Sequence, residues 1–67
     1  MEFVGYIFYF KDLNMYYDAY CMTTNDPFTA LFYSSKKEAE INAKSIEDTW
    51  KKSVEIIKIK KTLMFIN

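Results

Sequence analysis

Phe3–Phe10, FVGYIFYF, packs five aromatic rings and no charge into eight residues, and the fold turns on what this run becomes. By periodicity alone it fits a buried helix or a buried strand. Its shortness, its aromatic and β-branched content and the presence of Gly5 select a strand. Because residues of both parities are apolar, the strand needs cover on both faces, which puts it inside a sheet. Lys11-Asp12-Leu13-Asn14 ends it, with Asp and Asn as turn formers.

Met15–Thr24, MYYDAYCMTT, follows as a second strand rich in Tyr and Thr. A loop of two or four residues sets Phe10 opposite Met15, so that paired residue numbers sum to 25. One face then carries Val4, Tyr6, Phe8 and Phe10 with Met15, Tyr17, Ala19 and Cys21. The other carries Phe3, Gly5, Ile7 and Tyr9 with Tyr16, Asp18, Tyr20 and Met22. A loop of odd length would slip the register and mix the two sets. Asn25-Asp26-Pro27 breaks the strand, and Asp26 before Pro27 suits an N-cap and a single helical turn. Leu31-Phe32-Tyr33 is a short apolar bridge into the next element.

That element is a helix with a capping box: the Ser35 hydroxyl accepts from the N3 amide while Glu38 reaches back to the cap. Behind it Ala39, Ala43, Ile46 and Trp50 recur at helical spacing on one line. The small residues predict close approach to the sheet, with the Trp50 indole closing the end of the core. Lys51 and Lys52 suit the negative end of the helix dipole. Ile41 points the opposite way, among Lys37, Lys44 and Asp48. Val54–Ile66 then reads as a last strand, with Ile57, Ile59, Leu63 and Phe65 on one side and Lys58, Lys60 and Thr62 on the other. The adjacent Ile56 and Ile57 suggest a local bulge. The expected fold is α+β: one domain over residues 1–67, a three-stranded antiparallel sheet of β-β-α-β connection and order 2-1-3, and one helix on one face.

Composition removes several chemistries. The chain has one Cys and no His, so no Ser-His or Cys-His pair and no zinc site can be built. No disulfide forms within the chain, which fits a reducing cytoplasm. Cys21 is expected to pack as a small hydrophobe. The single Gly excludes a glycine-rich phosphate loop, and the carboxylate pairs Glu38/Glu40 and Glu47/Asp48 fall on a solvated helix face. No cofactor and no enzymatic activity are expected. Uncharged runs are too short to span a bilayer, and Glu2 stands where a signal peptide would carry a basic residue. The expectation is a soluble, unexported protein without a membrane partner. Formal net charge is zero, which gives no long-range field toward nucleic acid. Arg, His and Gln are missing, while Lys, Asn, Ile, Tyr and Phe abound; their codons are rich in A and T, as in a low-GC bacterium or its phages and mobile elements.

A lone helix covers one sheet face, and small residues belong beneath it, so the face with Ala19 and Cys21 is the covered one. The other is expected to stand open as a partner-binding surface of Tyr9, Tyr16, Asp18, Tyr20 and Met22, with Phe3 and Ile7, flanked by Lys58 and Lys60. Tyr and Met are enriched in protein interfaces, and covering ~400 Å² of apolar area at ~25 cal/mol per Å² is worth about 10 kcal/mol before the costs of association. A sheet with aromatics and flanking lysines also resembles sheets that stack RNA bases, but Asp18, the zero net charge and the lack of Arg weigh against nucleic acid. A homo-oligomer, with this face or the Leu63–Ile66 edge pairing two copies, is the third alternative.

The segment FYSSKKEAEINAK at 32–44 and the closing VEIIKIKK at 54–61 resemble small phage and mobile-element proteins in which a hairpin leads to an S-x-K-E-A-E helix and a V-x-I-I/V-K-I strand. The resemblance covers about half the chain. It implies a host-takeover or anti-defence protein, of the anti-CRISPR or anti-restriction kind, that binds and inhibits a host protein in the host cytoplasm. The dense acidic surface of DNA mimics is missing here, and the resemblance assigns no role to any single residue.

Overall fold

The first run forms a nine-residue strand, β1, Glu2–Phe10, and both of its long edges are occupied. The computed structural model describes residues 2–19 and 22–62. After β1 come β2, Met15–Tyr17; β3, Thr23–Thr24; α1, Lys36–Trp50; and β4, Val54–Thr62. The sheet has four strands in the order β3-β2-β1-β4. The class is therefore α+β with an inner β1, as expected, but with four strands in place of three.

The extra strand arises because Met15–Thr24 does not run straight through. It breaks at Asp18, whose Oδ1 accepts from the Ala19 N–H at 2.7 Å, while the Asp18 N–H donates to the Met22 carbonyl at 2.8 Å. A carboxylate that satisfies its neighbouring amide offers the backbone an alternative to the ladder. The chain folds back, and β3 pairs on the outer edge of β2 through Tyr16↔Thr24 and Tyr17↔Thr23. Against β1 the register is the expected one, Phe10↔Met15 and Tyr9↔Tyr16, across a four-residue turn closed by Asn14 at φ 53°.

Where β2 leaves, another segment takes over its lane. Asp26 caps a turn through Phe28, whose N–H donates to Asp26 Oδ1 at 2.9 Å. The returning chain donates the Leu31 N–H to the Tyr17 carbonyl at 3.0 Å. Tyr33 then exchanges both hydrogen bonds with Tyr6, at 2.7 and 2.8 Å, in an antiparallel bridge. Tyr33 thus stands where a straight second strand would have put Ala19, and its ring stacks on Phe8 at 5.0 Å.

α1 begins at Ser35, whose Oγ accepts from the Glu38 N–H at 3.4 Å, and ends at Lys51 in the left-handed region. Its buried residues are Ala39, Ala43 and Ile46, and they pack with Phe8 and Phe10 as the core. Tyr6, Tyr17, Tyr33, Trp50, Val54 and Ile56 surround that cluster. Trp50 stacks on Phe10 at 4.9 Å and meets Tyr17 edge-on, so the indole does close one end. The Val54 N–H donates to Glu47 Oε2 at 2.9 Å, tying the helix end to the start of β4. Ile41 is exposed.

β4 lies antiparallel to β1 in one unbroken register, from Phe10↔Val54 to Glu2↔Thr62. The expected bulge at Ile56-Ile57 is not formed. Both isoleucines are half-buried, Ile56 against the helix-side core and Ile57 on the opposite face beside Ile7. The expected extension of this strand over Leu63–Ile66 lies outside the described residues, as do Tyr20 and Cys21.

Tyr33 gives the helix-side core a dependence on alkali. Burial, with Tyr17 and Glu38 acting in the same direction, raises its phenol above the ordinary value of 10.0. The folded state therefore holds a proton that the unfolded state releases, and this contribution is complete below pH ~10 and is lost as pH climbs through the folded value. Urea midpoints measured for wild type and Tyr33→Phe should part above pH ~10, the wild type falling more steeply; parallel curves would remove the linkage.

Candidate functional site

Cross-strand partners point to one side of a sheet, so the register sorts every side chain. Val4, Tyr6, Phe8 and Phe10 share the helix side with Lys60, Lys58, Ile56 and Val54. Phe3, Gly5, Ile7 and Tyr9 share the other side with Lys61, Ile59, Ile57 and Glu55. The helix covers the face expected. Lys58 and Lys60, however, lie on the helix side and do not flank the tyrosine face; the numbers of paired residues in β1 and β4 sum to 64, which sends even residues to even. Lys60 there meets Glu2 at 3.2 Å.

The second face is not uniformly open either. Gly5 and Ile7 are buried, which corrects the expectation of a continuous apolar surface through Ile7. Their cover is Phe32. Carried one residue on from the Tyr6–Tyr33 bridge, the register sets Phe32 opposite Ile7, and its ring lies against Gly5. Lys61, across from Phe3, holds this roof: its Nζ sits 4.8 Å from the Phe32 ring centroid and donates to the Phe28 carbonyl at 3.0 Å. A cation–π contact with one hydrogen bond is about 1 kcal/mol each at an exposed site. Phe28 and Phe3 remain exposed beside it.

The other half of the face is open. Tyr9 and Tyr16 are half-buried neighbours with ring centroids 5.1 Å apart and planes at 54°. With Asn14, Asn25, Glu55 and Ile57 they line a cleft of about 320 Å³. The Tyr9 hydroxyl donates to Asn14 Oδ1, which fixes that ring over the turn. Glu55 is half-exposed, with Lys11 Nζ 3.9 Å from its Oε2, a pair at the limit of useful range. Of the residues expected to form the contact surface, Tyr9 and Tyr16 come together here. Asp18 is spent in the turn after β2, Met22 is exposed beyond that turn, and Tyr20 lies outside the described residues. Asn14, Asn25 and Glu55 were missed. Glu55 was within reach of pattern reasoning, since any register pairing Phe10 with Val54 puts it opposite Tyr9.

Among the described residues no three His, Cys, Asp or Glu side chains gather as a metal would require. None of the helices there is long and apolar enough to cross a membrane. Comparisons with protein families, with curated proteins and with solved structures found no match.

Proposed function

We infer that the protein is a non-enzymatic binder that occupies and inhibits a host protein through the sheet face opposite α1, as a phage-encoded anti-defence protein would. The observation that carries this is the open half of that face. Two tyrosines, half-buried and held by the register and by Asn14, flank a cleft that no segment among the described residues fills. Rigid amphipathic rings of this kind anchor protein interfaces, because they lose little side-chain entropy on contact. Exposed Phe3 and Phe28 extend apolar surface from the roofed half. The phage-like pattern of the helix and last strand supports the inhibitory role and a host-cytoplasm setting. Lys58 and Lys60 lie on the helix side and Lys61 is engaged with Phe32 and the Phe28 carbonyl, which weighs against the lysine-flanked surface that a base-stacking sheet would use.

The test is capture of the partner from host lysate by wild type, Tyr16→Asp and Ile41→Asp. Loss of an interface anchor costs about 2 kcal/mol or more, so recovery with Tyr16→Asp should fall roughly thirtyfold. Ile41→Asp, on the outward helix surface, should leave recovery unchanged. Equal recovery by wild type and Tyr16→Asp would remove this face as the contact surface.

A further inference from the structure

The open cleft presents a charge pattern that selects its occupant. We propose that it receives a basic side chain of the bound protein, arginine in preference to lysine; the inference rests on the reading of this face as the contact surface. The pairs Tyr9↔Glu55, Tyr9↔Tyr16 and Tyr16↔Thr24 make one row across all four strands: carboxylate, phenol, phenol, hydroxyl. The two phenol rings, with centroids 5.1 Å apart and planes tilted at 54°, both line the cleft, and an aromatic ring offers a cation the negative face of its quadrupole. Among the described residues the lining carries one formal charge, that of Glu55. Lys11 approaches Glu55 only to 3.9 Å and does not line the cleft, so the carboxylate keeps lone pairs for an incoming donor.

A cation entering this cleft meets two phenol side chains and a carboxylate together, whereas a phosphate or carboxylate ligand would meet the like charge of Glu55. Arginine fits better than lysine for a geometric reason. Its planar guanidinium stacks on one ring while its fork gives paired N–H donors to a carboxylate one strand away; an ammonium is a more strongly hydrated point charge. The volume of about 320 Å³ is at the small end of ligand clefts and suits one side chain more than a whole peptide. The Tyr9–Asn14 hydrogen bond holds one wall in place before anything arrives.

The experiment is an NMR titration of the full chain with N-acetyl-arginine amide, N-acetyl-lysine amide and N-acetyl-citrulline amide, the last having arginine's shape without its charge. Arginine should move the Tyr9, Tyr16 and Glu55 resonances saturably at tens of millimolar. Lysine should bind about threefold more weakly and citrulline about tenfold more weakly. Glu55→Gln should weaken arginine about fivefold while leaving the circular dichroism spectrum unchanged. Equal binding of arginine and citrulline, an unchanged constant in Glu55→Gln, or no shift at Tyr9 and Tyr16 would each overturn the inference. If Tyr16→Asp still abolishes partner capture while arginine has no effect, the contact face stands and the basic anchor falls. If Tyr16→Asp keeps its partner, the face itself is lost and the inference with it.

Discussion

Phe8→Ala should leave the protein mostly unfolded at 37 °C. Phe8 is fully buried, sits among Ala39, Ala43 and Ile46, and stacks on Tyr33 at 5.0 Å while meeting Tyr17 at 6.3 Å. Truncating a buried Phe costs about 3–5 kcal/mol, from lost transfer energy and from the cavity left behind. A domain of this size has roughly 3–10 kcal/mol in all, and each kcal/mol lowers Tm by about 4–8 °C. The cavity cannot collapse cheaply, because α1 already approaches closely through two alanines and Ile46 is itself buried in the packed cluster. Phe8→Leu keeps most of the volume and should cost about 1–1.5 kcal/mol. Fluorescence of the single Trp, which reports on Phe10 through its stack, gives the urea transitions directly. A Phe8→Ala midpoint within error of the Phe8→Leu midpoint would mean that Phe8 is not the centre of the core.

Local signals in the sequence survive folding here, and non-local ones do not. Ser35 caps the Glu38 amide as expected, since cap and amide are three residues apart and nothing distant interferes. The Glu38 carboxylate makes no return bond to the Ser35 amide, so the capping box is half formed. Ala39, Ala43 and Ile46 are buried because 3.6-residue periodicity is a property of the helix itself. The sum of 25 between β1 and β2 held because a four-residue turn sets it. Asp18 defeated the strand reading of Met15–Thr24: Tyr and Thr on either side favour a strand, and nothing local announces that the carboxylate will cap Ala19. The lane beside β1 was still filled, by Leu31–Tyr33, a segment that looked only like a bridge. Lys58 and Lys60 fall on the helix side, against expectation, because their side depends on the β1–β4 register, set by a helix and two connections between the strands. The Tyr9–Tyr16 pair is legible from the hairpin alone, Glu55 follows once Phe10 is paired with Val54, and the Phe32 roof requires the tertiary fold.

Gly5→Ala should destabilise the protein by about 2–3 kcal/mol, against the usual sense of that exchange in a strand. Alanine in place of glycine ordinarily gains about 0.5–1 kcal/mol from reduced backbone entropy, and Gly5 has no positive φ to lose. Space decides the sign. A methyl group there would stand 2.5 Å from the Tyr33 carbonyl oxygen and 2.7 Å from Phe32 Cε1, with Phe32 Cζ closer still. The ring could swing away, though it would leave Ile7 uncovered and part from the Lys61 ammonium. The carbonyl cannot move as easily, because it accepts the Tyr6 N–H at 2.7 Å in the bridge that fixes the lane. Overpacking of this kind costs about 1–3 kcal/mol, and the exposed Ile7 surface adds to it. A double-mutant cycle separates the two obstacles. In a Phe32→Ala background the ring clash is gone, so Gly5→Ala should cost about 1 kcal/mol less, and the remainder measures the carbonyl. If Gly5→Ala is neutral or stabilising in urea titrations, Phe32 does not rest on Gly5. The whole second face would then be open, and the Tyr9–Tyr16 cleft would be one end of a longer groove.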